Sequence, residues 1–141
     1  MTTTRTKSAE RERTEKRQER TFLFAKAILD LCPRRYSDDP SRVMWRQLIR
    51  SAPSASGNLD EADEASSDDD FVYKMKVVLR ETKESKRWLR FIARCKLQHH
   101  DRLGNLVDEA RQLGSIFATI VRNVERRLEA ERAQRKRPSK H

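Results

Sequence analysis

The chain has 141 residues, room for one domain, and combines 35% apolar with 38% charged residues and a net charge of +10. No apolar run approaches the roughly 20 residues of a membrane span, and the charged start does not read as a signal peptide. Two cysteines, Cys32 and Cys95, give neither a disulfide framework nor metal-ligand spacing. The expected setting is therefore reduced and cytoplasmic, and the scarcity of Gly and of Val, Ile and Thr runs argues against a β-rich fold.

Residues 1–20 mix charges of both signs without apolar periodicity and hold only Met1 and Ala9 as apolar side chains. They read as a charged N-terminal arm, disordered to about Ser8 and helical after it. The first helix carries Phe22, Ala25, Ile28, Leu29 and Cys32 as its stripe and stops before Pro33. PRRYSDDP is a loop, with Asp39 as candidate N-cap and Pro40 in the first turn of the second helix.

That helix spaces Met44, Leu48, Ala52, Ala55, Leu59 and Ala62 by threes and fours. Pro53 interrupts the pattern without shifting its phase, which favours one kinked helix over two. Ser66-Ser67-Asp68-Asp69-Asp70 starts the third helix, with Ser67 as cap and three carboxylates at the positive end of the helix dipole. Its stripe is Phe71, Met75, Val78, Thr82, Ser85, Leu89 and Ile92, and it ends near Leu97. Asp101 caps a fourth helix, whose apolar positions run from Leu103 to Leu128; residues 129–141 fray into a basic tail. The expected architecture is all-α, an antiparallel up-down four-helix bundle over residues 21–128 with extended basic N- and C-terminal tails.

Charge is the feature that points to function. Residues 56–70 carry −7, residues 71–104 carry +7 and residues 122–141 carry +5. On the third helix Lys76, Arg80, Lys83, Arg87, Arg90 and Arg94 recur at alternating spacings of 4 and 3. At about 100° per residue they fall within an arc of roughly 80°, a ridge about 27 Å long. Such a ridge can meet successive phosphates and release their counterions; its plainer reading is a solvated face. The tail, with Arg126, Arg127, Arg132, Arg135, Lys136, Arg137 and Lys140, is a second basic element that either follows a phosphate backbone or keeps the chain soluble.

The acidic block Asp60, Glu61, Asp63, Glu64, Asp68, Asp69, Asp70 fits helix capping, a basic surface of a neighbouring subunit, or, least well, a metal. His99-His100 reads as a polar turn rather than a ligand pair. Trp45, Tyr73, Trp88 and Phe91 are candidate base-stacking aromatics or core. Val72, Leu79, Trp88 and Phe91 lie off the main stripe of the third helix, a width that suggests oligomerisation.

The segment from Arg46 to Ile92 resembles the bacterial four-helix-bundle proteins related to the 23S rRNA intervening-sequence proteins. Gln47, Leu48, Arg50 and Ser51 match the opening of the family pattern. Ser54, Asn58, Leu59, Glu61 and Ala62 match its centre. Asp70, Phe71, Lys74, Met75, Leu79, Glu81, Glu84, Trp88 and Leu89 match its third helix. The proline here stands five residues before the asparagine, whereas the family often has it just before. The resemblance implies a homo-oligomeric bundle, a pentamer, with the second helix continuous through Asn58. The same fold is implied for the accessory variability determinants of diversity-generating retroelements, in which a basic pentamer binds a reverse transcriptase and its template RNA.

The leading expectation is thus a non-enzymatic, cofactor-free, oligomeric bundle that binds RNA or other nucleic acid through the third helix and the C-terminal tail. The alternative is a protein–protein scaffold whose charge governs solubility or subunit contacts. An enzyme would need a converging cluster of polar groups that the sequence does not display.

Overall fold

The computed structural model describes residues 2–97 and 101–139. Four helices account for nearly all of them: α1 (Thr2–Leu31), α2 (Asp39–Asp63), α3 (Asp68–Arg94) and α4 (Arg102–Arg135). They pack α1 on α2, α2 on α3, α3 on α4 and, along a thinner seam, α1 on α4, which makes an all-α four-helix bundle. Trp45, Ile28, Leu48, Met75, Leu89, Ile92, Leu113 and Phe117 are fully enclosed at its centre.

α1 begins at Thr2, so the disorder expected up to Ser8 is replaced by helix. After Ser8, Arg11 with Glu15 and Lys16 with Glu12 form i,i+4 ion pairs, and the Glu, Arg, Lys and Gln side chains there favour a solvated helix without a core. The buried positions of α1 are Thr21, Phe24, Ala25 and Ile28, while Phe22 and Leu29, expected in the stripe, are about half exposed. Thr21 can take a core position because its hydroxyl donates to the Arg17 carbonyl at 2.8 Å.

α2 is capped by Asp38, not Asp39: the Ser41 amide donates to Asp38 Oδ1 at 2.8 Å. That bond holds the Asp38 carboxyl below its usual pKa. The helix runs unbroken through Pro53, and Leu48, Ala52, Ala55, Leu59 and Ala62 are all buried on one face. Proline removes one amide donor at this point, but the apolar phase on either side is the same, so packing on α1 and α3 holds the two halves together. Asn58 Nδ2 donates to the carbonyl and hydroxyl oxygens of Ser54 at 2.8 and 3.1 Å, a purely structural use of both motif residues.

α3 starts as expected, with Ser67 Oγ accepting from the Asp70 amide at 3.1 Å. It ends at Arg94 rather than near Leu97. Lys96 adopts φ 54°, and the amides of Lys96 and Leu97 donate back to Ala93 and Ile92, closing the helix in a Schellman turn with lysine where glycine is usual. Of the four apolar residues expected off the seam of α3, Val72 is buried and Leu79 and Trp88 pack against the core. Most of the width read as a sign of oligomerisation is therefore internal packing, and Phe91 alone among the four stays exposed.

Asp101 stands at the start of α4 with helical backbone angles and makes no capping hydrogen bond, because an N-cap side chain reaches the next turn only from an extended backbone. α4 continues as helix to Arg135, well past the fraying point expected at residue 129. His99 and His100 lie outside the described residues, as do Lys140 and His141.

Candidate nucleic-acid interface

The outward face of α3 is fixed by what its inward face buries. Met75, Val78, Thr82, Ser85, Leu89 and Ile92 point into the bundle. Ser85 Oγ donates to the Glu81 carbonyl at 2.9 Å and lies 2.8 Å from Ser51 Oγ of α2, so two small hydroxyl residues are satisfied where the helices meet. With that face held, the cations about half a turn away have to face water. Lys76, Arg80, Lys83, Arg87, Arg90 and Arg94 are all exposed.

They are not electrostatically equivalent. Lys76 Nζ lies 2.6 Å from Glu125 of α4, and Arg80 Nη2 lies 3.8 Å from Glu81. Among the described residues, Lys83, Arg87, Arg90 and Arg94 have no carboxylate within ion-pair distance. The unpaired part of the ridge is thus its C-terminal two-thirds, about 17 Å long at the helical rise of roughly 1.5 Å per residue. Arg87, Arg90 and Arg94 also line a shallow concavity of about 430 Å³ together with Phe91 and Cys95.

Behind this face sits a carboxylate pair that periodicity alone did not single out. Glu81 is buried, its side chain 7% exposed, and Arg50 of α2 reaches across to it at 3.3 Å and to Glu84 at 2.6 Å. Burial pushes the Glu81 carboxyl above its usual pKa against the opposing field of Arg50. Glu84 is also partly desolvated, but its hydrogen bonds with Arg50 and Glu81 hold it below the usual value. The signal was present in the family pattern, where Arg50, Glu81 and Glu84 are all matched positions. Helical spacing placed Glu81 and Glu84 on neighbouring turns without naming their partner.

The C-terminal run of α4 fares differently from the ridge. Arg127 Nη2 bonds Asp68 Oδ1 at 2.9 Å and Arg132 Nη2 bonds Asp69 Oδ1 at 3.0 Å. With Asp70 paired to Lys74 at 3.4 Å, all three aspartates of the helix start pair within the same chain rather than awaiting another subunit, and Arg127 is engaged there. Arg126, Arg135, Lys136 and Arg137 remain exposed. Of the other motif residues, Glu61 is exposed and Phe71 packs on the edge of the core. Trp45 is completely buried, which removes it from the candidate stacking residues. No group of three or more His, Cys, Asp or Glu gathers as a metal would require among the described residues. No helix among them is long and apolar enough to cross a membrane.

The family model described as 23S rRNA-intervening sequence protein matches residues 15–119. The fold is similar to the crystal structure of a protein of unknown function from the S23 ribosomal protein family of Bacteroides thetaiotaomicron VPI-5482. The TM-score is 0.67 at 22% identity, over 77% of this chain and 97% of that one. No curated protein matches the chain. With the matched region running from within α1 deep into α4, the chain belongs to the 23S rRNA-intervening sequence protein family.

Proposed function

We propose that this chain is a non-enzymatic, homo-oligomeric subunit that binds RNA or other nucleic acid through the outer face of α3. The observation that carries the reading is the run Lys83, Arg87, Arg90 and Arg94, exposed and, among the described residues, without a carboxylate at ion-pair distance, on one face of a helix whose other face is locked into the core. Phosphate contact by such a run releases counterions and is indifferent to base sequence, so selectivity comes from shape and from a partner protein. Arg126, Arg135, Lys136 and Arg137 extend the positive surface at the end of α4. The resemblance to retroelement accessory proteins extends the proposal to a homopentamer with a reverse transcriptase as its protein partner.

Reversing Arg87, Arg90 and Arg94 to glutamate is expected to abolish RNA retention in a filter-binding assay while circular dichroism and the mass by light scattering stay unchanged. Undiminished retention by that variant rejects the reading. It would favour the scaffold alternative, in which the positive charge serves subunit contacts or solubility.

A further inference from the structure

Two exposed aromatic side chains that a phosphate-binding surface does not need flank the ridge along one side. Tyr73 is 69% exposed and Phe91 44%. They stand 18 residues apart, which is five full turns at 3.6 residues per turn, so they lie on one line along α3. That line borders the cationic arc, about 20° from Arg80 and 40° from Arg87. The other large exposed apolar residues, Phe22, Leu23, Leu29 and Val43, belong to α1 and α2.

We propose that the α3 track takes single-stranded rather than duplex nucleic acid, its phosphates on Lys83, Arg87, Arg90 and Arg94 and unstacked bases laid on Phe91 and Tyr73. The inference rests on the polyanion reading above and names its substrate class. In a duplex the base faces are occupied by their neighbours, leaving an aromatic ring on a cationic helix nothing to stack on. In a single strand those faces are free, and stacking tolerates any base. Phe91 is the better built of the two platforms. Its ring centroid is 6.1 Å from that of Trp88 at an interplanar angle of 31°, and Trp88 itself packs on the core, so the platform is backed from beneath. It also borders the concavity lined by Arg87, Arg90 and Arg94, where a stacked base has its own phosphate within reach of guanidinium groups.

The test compares three polyanions on the full chain: an oligouridine of about 12 nucleotides, within the usual site size, an RNA duplex of equal length, and inorganic polyphosphate of equal charge. The wild type is expected to hold the oligouridine more tightly than the duplex at equal salt. Tyr73→Ala with Phe91→Ala should weaken oligouridine binding by about tenfold or more, leave polyphosphate and duplex affinities unchanged, and leave the mass by light scattering unchanged. Tyr73→Phe with Phe91→Trp should restore the lost affinity. Both residues are on the surface, so the truncations leave the core intact, which circular dichroism checks. An unchanged oligouridine affinity, an equal loss toward polyphosphate, or a shift in oligomer mass would each overturn the stacking assignment while the polyanion reading stands. Failure of the wild type to bind any of the three probes removes both.

Discussion

The two basic runs of this chain are similar in composition and each is only partly compensated, by carboxylates from different elements. On α4, Arg127 and Arg132 find Asp68 and Asp69 at the start of α3. On α3, Lys83, Arg87, Arg90 and Arg94 have no carboxylate within ion-pair distance among the described residues: the acids nearest in sequence, Glu81 and Glu84, are held by Arg50 of α2, and Arg87 acts on Glu84 only through a longer-range field. A cluster of positive charge is a binding surface only where the fold leaves it uncompensated. Here the acidic start of α3 engages Arg127 and Arg132 of α4 and leaves Arg126, Arg135, Lys136 and Arg137 of the same run exposed. Exposed pairs of this kind contribute only about 0.2–1 kcal/mol each. Their consequence is therefore felt less in stability than in which cations are left to attract a polyanion.

The largest expected effect separates the two runs. Charge reversal at Arg87, Arg90 and Arg94 should lower RNA affinity at least about a hundredfold, whereas reversal at Arg127 and Arg132 should change it by less than about threefold. Fluorescence anisotropy with one labelled RNA reads both. Equal losses from the two variants would erase the distinction.

Removal of Arg50 attacks the arrangement that keeps α3 uncompensated. Arg50→Ala leaves Glu81 buried with only the longer Arg80 contact at 3.8 Å and frees Glu84. The expected cost is about 1–2 kcal/mol in urea unfolding, reduced from the value for a fully buried charged hydrogen bond because Arg50 is half exposed. The same variant should bind RNA several-fold more weakly, since two carboxylates then sit beside Arg80 and Arg87. An unchanged unfolding midpoint would show that the Arg50 clamp contributes nothing.

Glu81 gives the comparison a pH dependence of known sign. Its folded pKa lies above the ordinary glutamate value of about 4.5, so between those two values the folded chain binds more protons than the unfolded chain. Stability contributed by this group is present at low pH and is lost as pH rises through the folded pKa. Glu81→Gln should remove that slope, leaving a flatter dependence of the urea midpoint on pH just above 4.5. A slope identical to that of the wild type would assign the effect to another group.

The smallest effect comes from releasing the α4 run. Asp68→Asn with Asp69→Asn frees Arg132 and leaves Arg127 only its longer contact to Glu131 at 3.9 Å, which should raise RNA affinity a few-fold at a stability cost of about 0.2–1 kcal/mol per lost pair. No gain in affinity would mean that the α4 arginines lie outside the path of the nucleic acid.

Much of the fold was legible because it is written locally. Ser67 three residues before Asp70 marked the start of α3, and the unshifted spacing from Leu48 to Leu59 carried α2 through Pro53. The errors lie where local signals compete. Asp38 and Asp39 are equally good caps by type, and only the chain direction entering α2 selects the first. Lys96 takes a backbone conformation usual for glycine, so α3 ends at Arg94 with no local signal in the residue types to mark it. Thr21 replaces Phe22 in the core because a threonine hydroxyl can satisfy itself on the preceding turn. The outward aim of the six cations followed from spacing alone. Their division into two paired and four unpaired cations did not, because it depends on Glu125 and Arg50 contributed by other helices. The pairing of Arg132 with Asp69, 63 residues apart, is likewise set by how α4 lies against α3.

The most direct measurement is the salt dependence of binding to a short single-stranded RNA, for the wild type and for the Arg87→Glu, Arg90→Glu, Arg94→Glu variant. Each phosphate contact contributes about 0.7 to the slope of log affinity against log salt, so losing three contacts should flatten the slope by about 2. Identical slopes for the two proteins would contradict the assignment of the phosphate contacts to α3.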